Sequence, residues 1–153
     1  MSTLRWSVVL TAVLATATPV LAQPPASTPP GAGRIKVVSG AAFIVRDGAA
    51  IAARAGQIVF EADGLKTGAD GRIGMTLTDD TRLSLGPNSE LRLKRFVYSP
   101  GTGGLEMVVR FVRGVGAYVS GRMAKLAPDS IRLETPAAIV GVRGTSLAIR
   151  VEP

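Results

Sequence analysis

Between Ile73 and Lys94 the chain alternates apolar and polar residues three times in succession. Ile73, Met75 and Leu77 alternate with Gly74, Thr76 and Thr78; Leu83 and Leu85 with Arg82, Ser84 and Gly86; Leu91 and Leu93 with Arg92 and Lys94. Asp79-Asp80 and Pro87-Asn88 separate the runs. A period of two places one set of side chains on a single face of a strand, whereas on a helix residues i and i+2 fall on opposite sides. Three consecutive short strands, each with one face to bury, therefore constrain the fold more than any other feature: a short strand is stable only beside others.

The same signal recurs on both sides. Ile35–Val38, Ala42–Val45, Gln57–Phe60, Leu105–Phe111, Val115–Val119, Ile131–Leu133 and Leu147–Val151 read as strands. Asp47-Gly48 and Asp70-Gly71 mark tight turns, because Gly accepts the positive φ that such turns demand. Gly114 and Gly116, on either side of Val115, mark a bulge or corner. Arg122–Leu126 has room for one helical turn. About nine or ten short strands make the chain all-β. A twisted sandwich, a distorted barrel and a β-solenoid-like stack all fit the pattern. Gly near the strand ends, with stacked Leu and Ile, favours the sandwich or the stack, although no repeat of fixed period is present. The core is aliphatic: the single Trp, Trp6, lies in the first residues.

Those first residues read as an export leader. Arg5 supplies a positive start, Ser7–Thr18 an apolar run, and Val20-Leu21-Ala22 small or short residues before a cut after Ala22. The run is too short and too broken by Thr and Pro19 for a spanning helix of about 20 residues. We expect a Sec-type signal peptide with its helix over residues 1–22, a Pro-rich disordered linker over 23–33, and an all-β domain over 34–153 in the periplasm or outside the cell, with no transmembrane span in the mature chain. The linker holds Pro24, Pro25, Pro29 and Pro30, which favour extended geometry.

The chain has neither Cys nor His. That removes disulfides, Cys or His nucleophiles and the usual zinc and haem ligands, and no cofactor is expected. Glu61, Glu90, Glu106 and Glu134 show no pairing of the kind glycoside hydrolysis requires. Asp63, Asp70, Asp79 and Asp80 lack the close repeated spacing of a calcium loop and read as turn residues. The serines have no His partner. The expectation is a protein that is not an enzyme. The formal charge is +7; without Arg5 the mature chain has 17 basic and 11 acidic residues, net +6. For an exported chain nucleic acid is not the partner. An envelope protein or an anionic envelope polymer fits instead, and scattered Arg also serves solubility and edge protection.

Three motifs stand out. Gly68, Asp70 and Gly71 form a turn before the first alternating strand. Gly86 and Ser89 bracket Pro87-Asn88, where Ser89 is expected to stabilise the turn. The third is the run Thr135-Pro136 to Gly141-Val142-Arg143-Gly144-Thr145, a rigid entry followed by a Gly-flanked Arg. A guanidinium fork suits carboxylate or phosphate, so Arg143 is the candidate contact for a partner or an anion. Pairing with an Asp of the same chain is the structural alternative.

Taken in order, Gly56 through Asp63, Leu65, Thr67, Gly68, Asp70, Gly71 and Arg72, then Asp79 to Leu91, then Thr135 to Thr145, the chain resembles the FecR domain family. The resemblance implies a periplasmic β-rich domain. In the best-known members of that family it belongs to a transmembrane regulator that receives a signal from an outer-membrane transporter and controls a cytoplasmic sigma factor, while other exported proteins carry such a domain without that circuit. Here a leader stands where the cytoplasmic region and membrane helix would be, and nothing follows Pro153 for a further subdomain. The expectation is thus a stand-alone exported module that binds without catalysis, or one that passes a signal in trans within a sigma-factor and iron-uptake type of system.

Overall fold

The computed structural model describes residues 27–144 and 146–152. The expected leader, the first part of the linker, and Thr145 lie outside the described residues. Twelve strands follow in order: β1 (Gly33–Ser39), β2 (Ala42–Arg46), β3 (Ala49–Ala52), β4 (Ile58–Val59), β5 (Gly64–Thr67), β6 (Arg72–Leu77), β7 (Arg82–Leu85), β8 (Glu90–Ser99), β9 (Gly104–Val119), β10 (Ile131–Glu134), β11 (Ile139–Gly141) and β12 (Ser146–Val151). One helical turn, α1 (Met123–Leu126), and a 3-10 turn at Pro128–Ser130 connect β9 to β10. Ala32 is buried and its N–H bonds Val59 O, so the packed region begins just before β1.

The all-β reading holds. The strands form one curled, mostly antiparallel sheet, a half-barrel. It has two halves because β9 serves both. Up to Arg113, β9 lies between β8 and the parallel β10, and β11, β5, β2 and β3 extend that half. From Gly114 onward it lies between β7 and β12, and β6, β1 and β4 extend the other. The corner has a local cause. Glu90 pairs Arg113 and Leu91 pairs Phe111, which leaves Val112 as an extra residue, and Gly114 follows at φ +84°. A bulge and a positive-φ glycine bend the strand. The return of the chain requires the bend. A straight β9 would separate residues 107 and 119 by about 40 Å at 3.3 Å per residue, yet Ile131 pairs Met107 after a partly helical segment.

The period-two faces meet inside. Ile35, Ile73, Met75 and Leu83 from one half pack with Ile44, Leu65, Leu91, Leu93 and Leu133 from the other in a single buried cluster. Tyr118 and Phe111, on either side of the β9 corner, are its largest fully buried side chains, and Met123 of α1 joins the same cluster. At about 25 cal/mol per Å² of apolar surface, such aliphatic burial is the main stabilising contribution. The outward faces differ. Across β6, β7, β9 and β12 one row reads Gly74, Ser84, Ala117 and Ala148. Across β5, β8 and β9 of the other half the matching rows read Lys66, Glu90, Arg113 and Gly64, Arg92, Arg110.

Candidate functional site

Most of the motif residues lie at corners of the half-barrel, where they serve backbone groups. Gly68, Asp70 and Gly71 turn the chain against the β1–β2 turn. Gly68 N donates to Ala41 O (2.8 Å), Ala41 N to Asp70 Oδ1 (3.2 Å) and Gly71 N to Gly68 O (3.0 Å). A Cβ on Gly71 would strike Ala41 O. Gly86 and Ser89 belong to a second corner. The Thr67 hydroxyl donates to Gly86 O (2.6 Å) and accepts from Ser89 N (2.9 Å). Ser89 Oγ donates to Pro87 O (2.9 Å) and accepts from Val115 N (2.9 Å). Thr67 and Ser89 are buried, so these bonds tie β5, the β7–β8 turn and the β9 bend together out of water.

A third corner centres on Asp79, which the sequence marks only as a turn residue. Asp79 is buried; its Oδ2 accepts from the Thr81 hydroxyl (2.7 Å) and its Oδ1 from Thr81 N (3.1 Å), while Asp79 O accepts from Arg122 N (2.6 Å). Thr81 Oγ1 in turn accepts from Gly121 N (3.1 Å). The Tyr118 hydroxyl reaches this corner near Ser120 and Thr81 but satisfies hydrogen-bond geometry with neither, and burial raises its pKa. A fourth corner pairs Arg46 with buried Asp63 through two bonds of 2.9 and 2.7 Å, with the guanidinium 4.6 Å from the Phe60 ring centroid. The hydrogen bonding to Asp63 raises the Arg46 pKa. The signal for both was the Asp in each turn, Asp63 and the Asp79-Asp80 pair; Arg46, Gly121 and Arg122 lie too far along the chain for spacing to show them as partners.

The C-terminal motif is different in kind. Thr135 and Ala138 close a tight turn: Thr135 N donates to Ala138 O (2.8 Å) and Ala138 N to Thr135 Oγ1 (3.0 Å), with Pro136 exposed at its tip. β11 follows and pairs only β10. Ile139 is 70% exposed and Val140 39%. Gly141 and Gly144 have open space where a Cβ would stand. Arg143 reaches Asp129 Oδ1 at 3.5 Å, with both side chains more than four-fifths exposed. That contact is weak in water and leaves the guanidinium open to another anion. Arg143 lines a cleft of about 490 Å³ with Lys125, Asp129 and Ser120, whose hydroxyl donates to Gly144 O. The structure thus brings Arg143, Gly144 and the α1 segment together and leaves Gly68, Asp70, Gly71, Gly86 and Ser89 at other corners.

The glutamates considered for hydrolysis meet cations. Glu61 and Glu106 both contact Arg95, Glu90 contacts Arg92 and Arg113, and Glu134 contacts Lys94 and Arg110. Among the described residues no helix is long and apolar enough to cross a membrane.

No curated protein and no solved structure matches the chain. A family model described as FecR protein matches residues 63–153, from the turn before β5 through the last strand. The match spans more than half of the sequence and includes the Thr67–Ser89 corner and the whole C-terminal motif, so the chain belongs to the FecR family of regulatory signal-transduction domains.

Proposed function

We propose that the protein is an exported module of the cell envelope that works by binding another protein through its C-terminal strand edge, without catalysis. The observation that carries this reading is β11. Its far edge has no strand partner among the described residues, and it carries exposed Ile139 and Val140. Folded proteins normally blunt such an edge with charge, proline or a bulge. β11 is short but carries no charge, proline or bulge, and such an edge is suited to strand addition, in which an extended segment supplies main-chain bonds and apolar side chains supply selectivity. β12 also pairs only β9, and its inward Leu147, Ile149 and Val151 are half-buried. Arg143 lies between β11 and β12 in the chain and offers a fork for a carboxylate on the partner. The leader-like N-terminus supports export, and the corner roles of the aspartates and Ser89 support binding over chemistry.

The test places a photo-crosslinking residue at Ile139 in intact cells. The expected result is one discrete protein adduct whose yield collapses in Val140→Lys. No adduct, or an adduct indifferent to Val140→Lys, would count against the edge. A second reading, transfer of a signal in trans within a sigma-factor and iron-uptake type of system, is favoured by family membership. Deleting the gene would then change transcription of an outer-membrane transporter; unaltered transcripts argue against it.

A further inference from the structure

One half of the sheet runs β3-β2-β5-β8-β9-β10-β11, so β3 is its outer strand at the end away from β11. The other half protects its outer strands: β4 is two residues long and β12 carries Arg150. β3 has no charge, proline or bulge. Its four residues, Ala49-Ala50-Ile51-Ala52, are all exposed and pair only β2 among the described residues.

The ladder to β2 fixes which main-chain groups of β3 are free. Ala53 N donates to Ala42 O at 2.9 Å. Hydrogen-bonded pairs alternate along an antiparallel ladder, and the register continues through Ile44↔Ile51 and Arg46↔Ala49. Ala49, Ile51 and Ala53 therefore turn their N–H and C=O toward β2, and those of Ala50 and Ala52 face outward. A second strand bonds them only where its own outward-facing residues lie opposite. For an antiparallel copy of β3 this excludes every register that sets an odd-numbered residue against an even one. Ala50 against Ala50 draws in Gly48, which the turn holds at φ +80°. Ala52 against Ala52 leaves Ala50 facing Arg54, outside the strand. Ala50 against Ala52 keeps all four main-chain bonds within the strand and sets Ile51 against Ile51 on the two-fold axis.

We propose that β3 is a self-pairing edge through which two copies of this chain join antiparallel into one continuous sheet. Side chains favour the same register as the main chain. Ile51 lies opposite fully buried Ile44, so it belongs to the core face, yet it is 40% exposed at the rim. In the dimer it meets its own copy in a non-hydrogen-bonded pair, where side chains stand closest, and the two cores extend toward each other. Just beyond the strand, Arg54 of each copy approaches the Asp47-Gly48 turn of the other, and neither Arg54 nor Asp47 has an ion pair among the described residues. The contact is isologous, so it consumes both β3 edges and closes at two copies. Both β11 strands stay free at the far ends. A four-residue ladder buries less than the roughly 1,200 Å² of a stable interface, so the dimer is weak and depends on concentration. The inference goes beyond the binding-module reading and uses the opposite edge, so either stands without the other.

The chain has no Cys, so single-cysteine variants of the purified protein, oxidised with glutathione disulfide, read the register directly. Ile51→Cys is expected to form a disulfide-linked dimer at least about tenfold faster than Ala50→Cys or Ala52→Cys. Residues opposed in a non-hydrogen-bonded pair have Cα atoms about 4.5 Å apart, within disulfide reach, whereas Ala50 and Ala52 stand diagonal to their own copies at about 7–8 Å. In sedimentation, the wild-type mass is expected to rise from one copy toward two between about 10 μM and 1 mM. Ile51→Lys, which sets two ammonium groups on the axis, and Ala50→Pro, which removes an outward N–H and leaves the β2 ladder whole, are expected to weaken the dimer about tenfold or more. Urea midpoints check that both variants fold; the cysteine series decides the matter if either does not. A wild type monomeric at 1 mM, equal crosslinking rates in the three cysteine variants, growth past two copies, or a dimer indifferent to Ile51→Lys would overturn the proposal. An absent Ile139 adduct in cells, beside an intact Ile51→Cys dimer, counts against β11 alone.

Discussion

The Thr67–Ser89–Gly114 corner and the Thr135–Gly144 segment look alike as sequence: small residues, a hydroxyl and a proline around a turn. The fold treats them as opposites. At the first, each hydroxyl both gives and receives a hydrogen bond in a buried setting, and a Cβ at Gly114 would run into Ser89 and Asn88 O. At the second, the hydroxyl of Thr135 serves an exposed turn and the glycines face open space. Motif composition alone therefore does not separate a residue that holds the fold from one that faces a partner. The bonding and room around it do.

The glycines break this contrast most sharply. Gly114 sits at φ +84° with backbone atoms of Ser89 and Asn88 within 2.7 Å of where a Cβ would stand. Gly114→Ala adds left-handed strain to a clash that can be relieved only by moving β9 off the β7–β8 turn, and is expected to cost about 3–5 kcal/mol. Against a typical domain stability of about 5–15 kcal/mol, that is a large share. Gly141→Ala meets nothing and has no positive φ, so it is expected to be neutral or to stabilise by up to about 1 kcal/mol through the unfolded chain. Urea midpoints measure both. A Gly141→Ala as damaging as Gly114→Ala would overturn the distinction.

The hydroxyls repeat the contrast at lower amplitude. Ser89→Ala strands Val115 N–H, which has Ser89 Oγ as its partner, and is expected to cost about 1–3 kcal/mol. Thr135→Ala frees Ala138 N–H to an exposed position where water replaces the lost bond, at a cost below about 1 kcal/mol. Equal shifts in the urea midpoint would mean that the C-terminal turn is as firmly built in as the central corner. If Thr135→Ala leaves stability intact but lowers the Ile139 crosslink, the turn acts by presenting β11.

The strands of the central region were legible because burial there is strictly one-sided. Ile73, Met75, Leu77, Leu83, Leu85, Leu91 and Leu93 are all buried, as the alternation requires. β3 was not legible: Ala49–Ala52 is exposed along its length and has no pattern to read. β9 was read as two strands because Gly114 and Gly116 look like punctuation, whereas the chain bends at Gly114 and keeps its ladder on both sides. β11 was missed because its apolar residues stay exposed and it earns its conformation only from pairing with β10. Of the candidate residues, the turn role of Ser89 was visible in Pro87-Asn88. Its bond to Val115 joins positions whose pairing depends on the curl of the whole sheet, and no local spacing records that. The neighbours of Arg143 likewise come from segments distant in sequence, Ser120, Lys125 and Asp129 among them.

Tyr118 offers the smallest and cleanest test, because it is buried like Ser89 but unbonded. Its hydroxyl has no partner and burial raises its pKa. Removing an unpaired buried hydroxyl deletes a desolvation penalty and no hydrogen bond, so Tyr118→Phe is expected to change stability at neutral pH by less than about 1 kcal/mol, toward greater stability. The pH dependence follows from the same burial. The unfolded tyrosine ionises near pH 10 and the folded one higher. The folded state therefore binds the proton more tightly, and this contribution is complete below about pH 10 and lost as pH climbs through the folded value. In Tyr118→Phe that loss has no source. Its unfolding free energy should fall less steeply than wild type above pH 10, with the two curves parallel from pH 6 to 9. A Phe variant destabilised at pH 7 as much as Ser89→Ala would show that the hydroxyl is bonded after all, and would move Tyr118 into the Asp79–Thr81 corner as a working member.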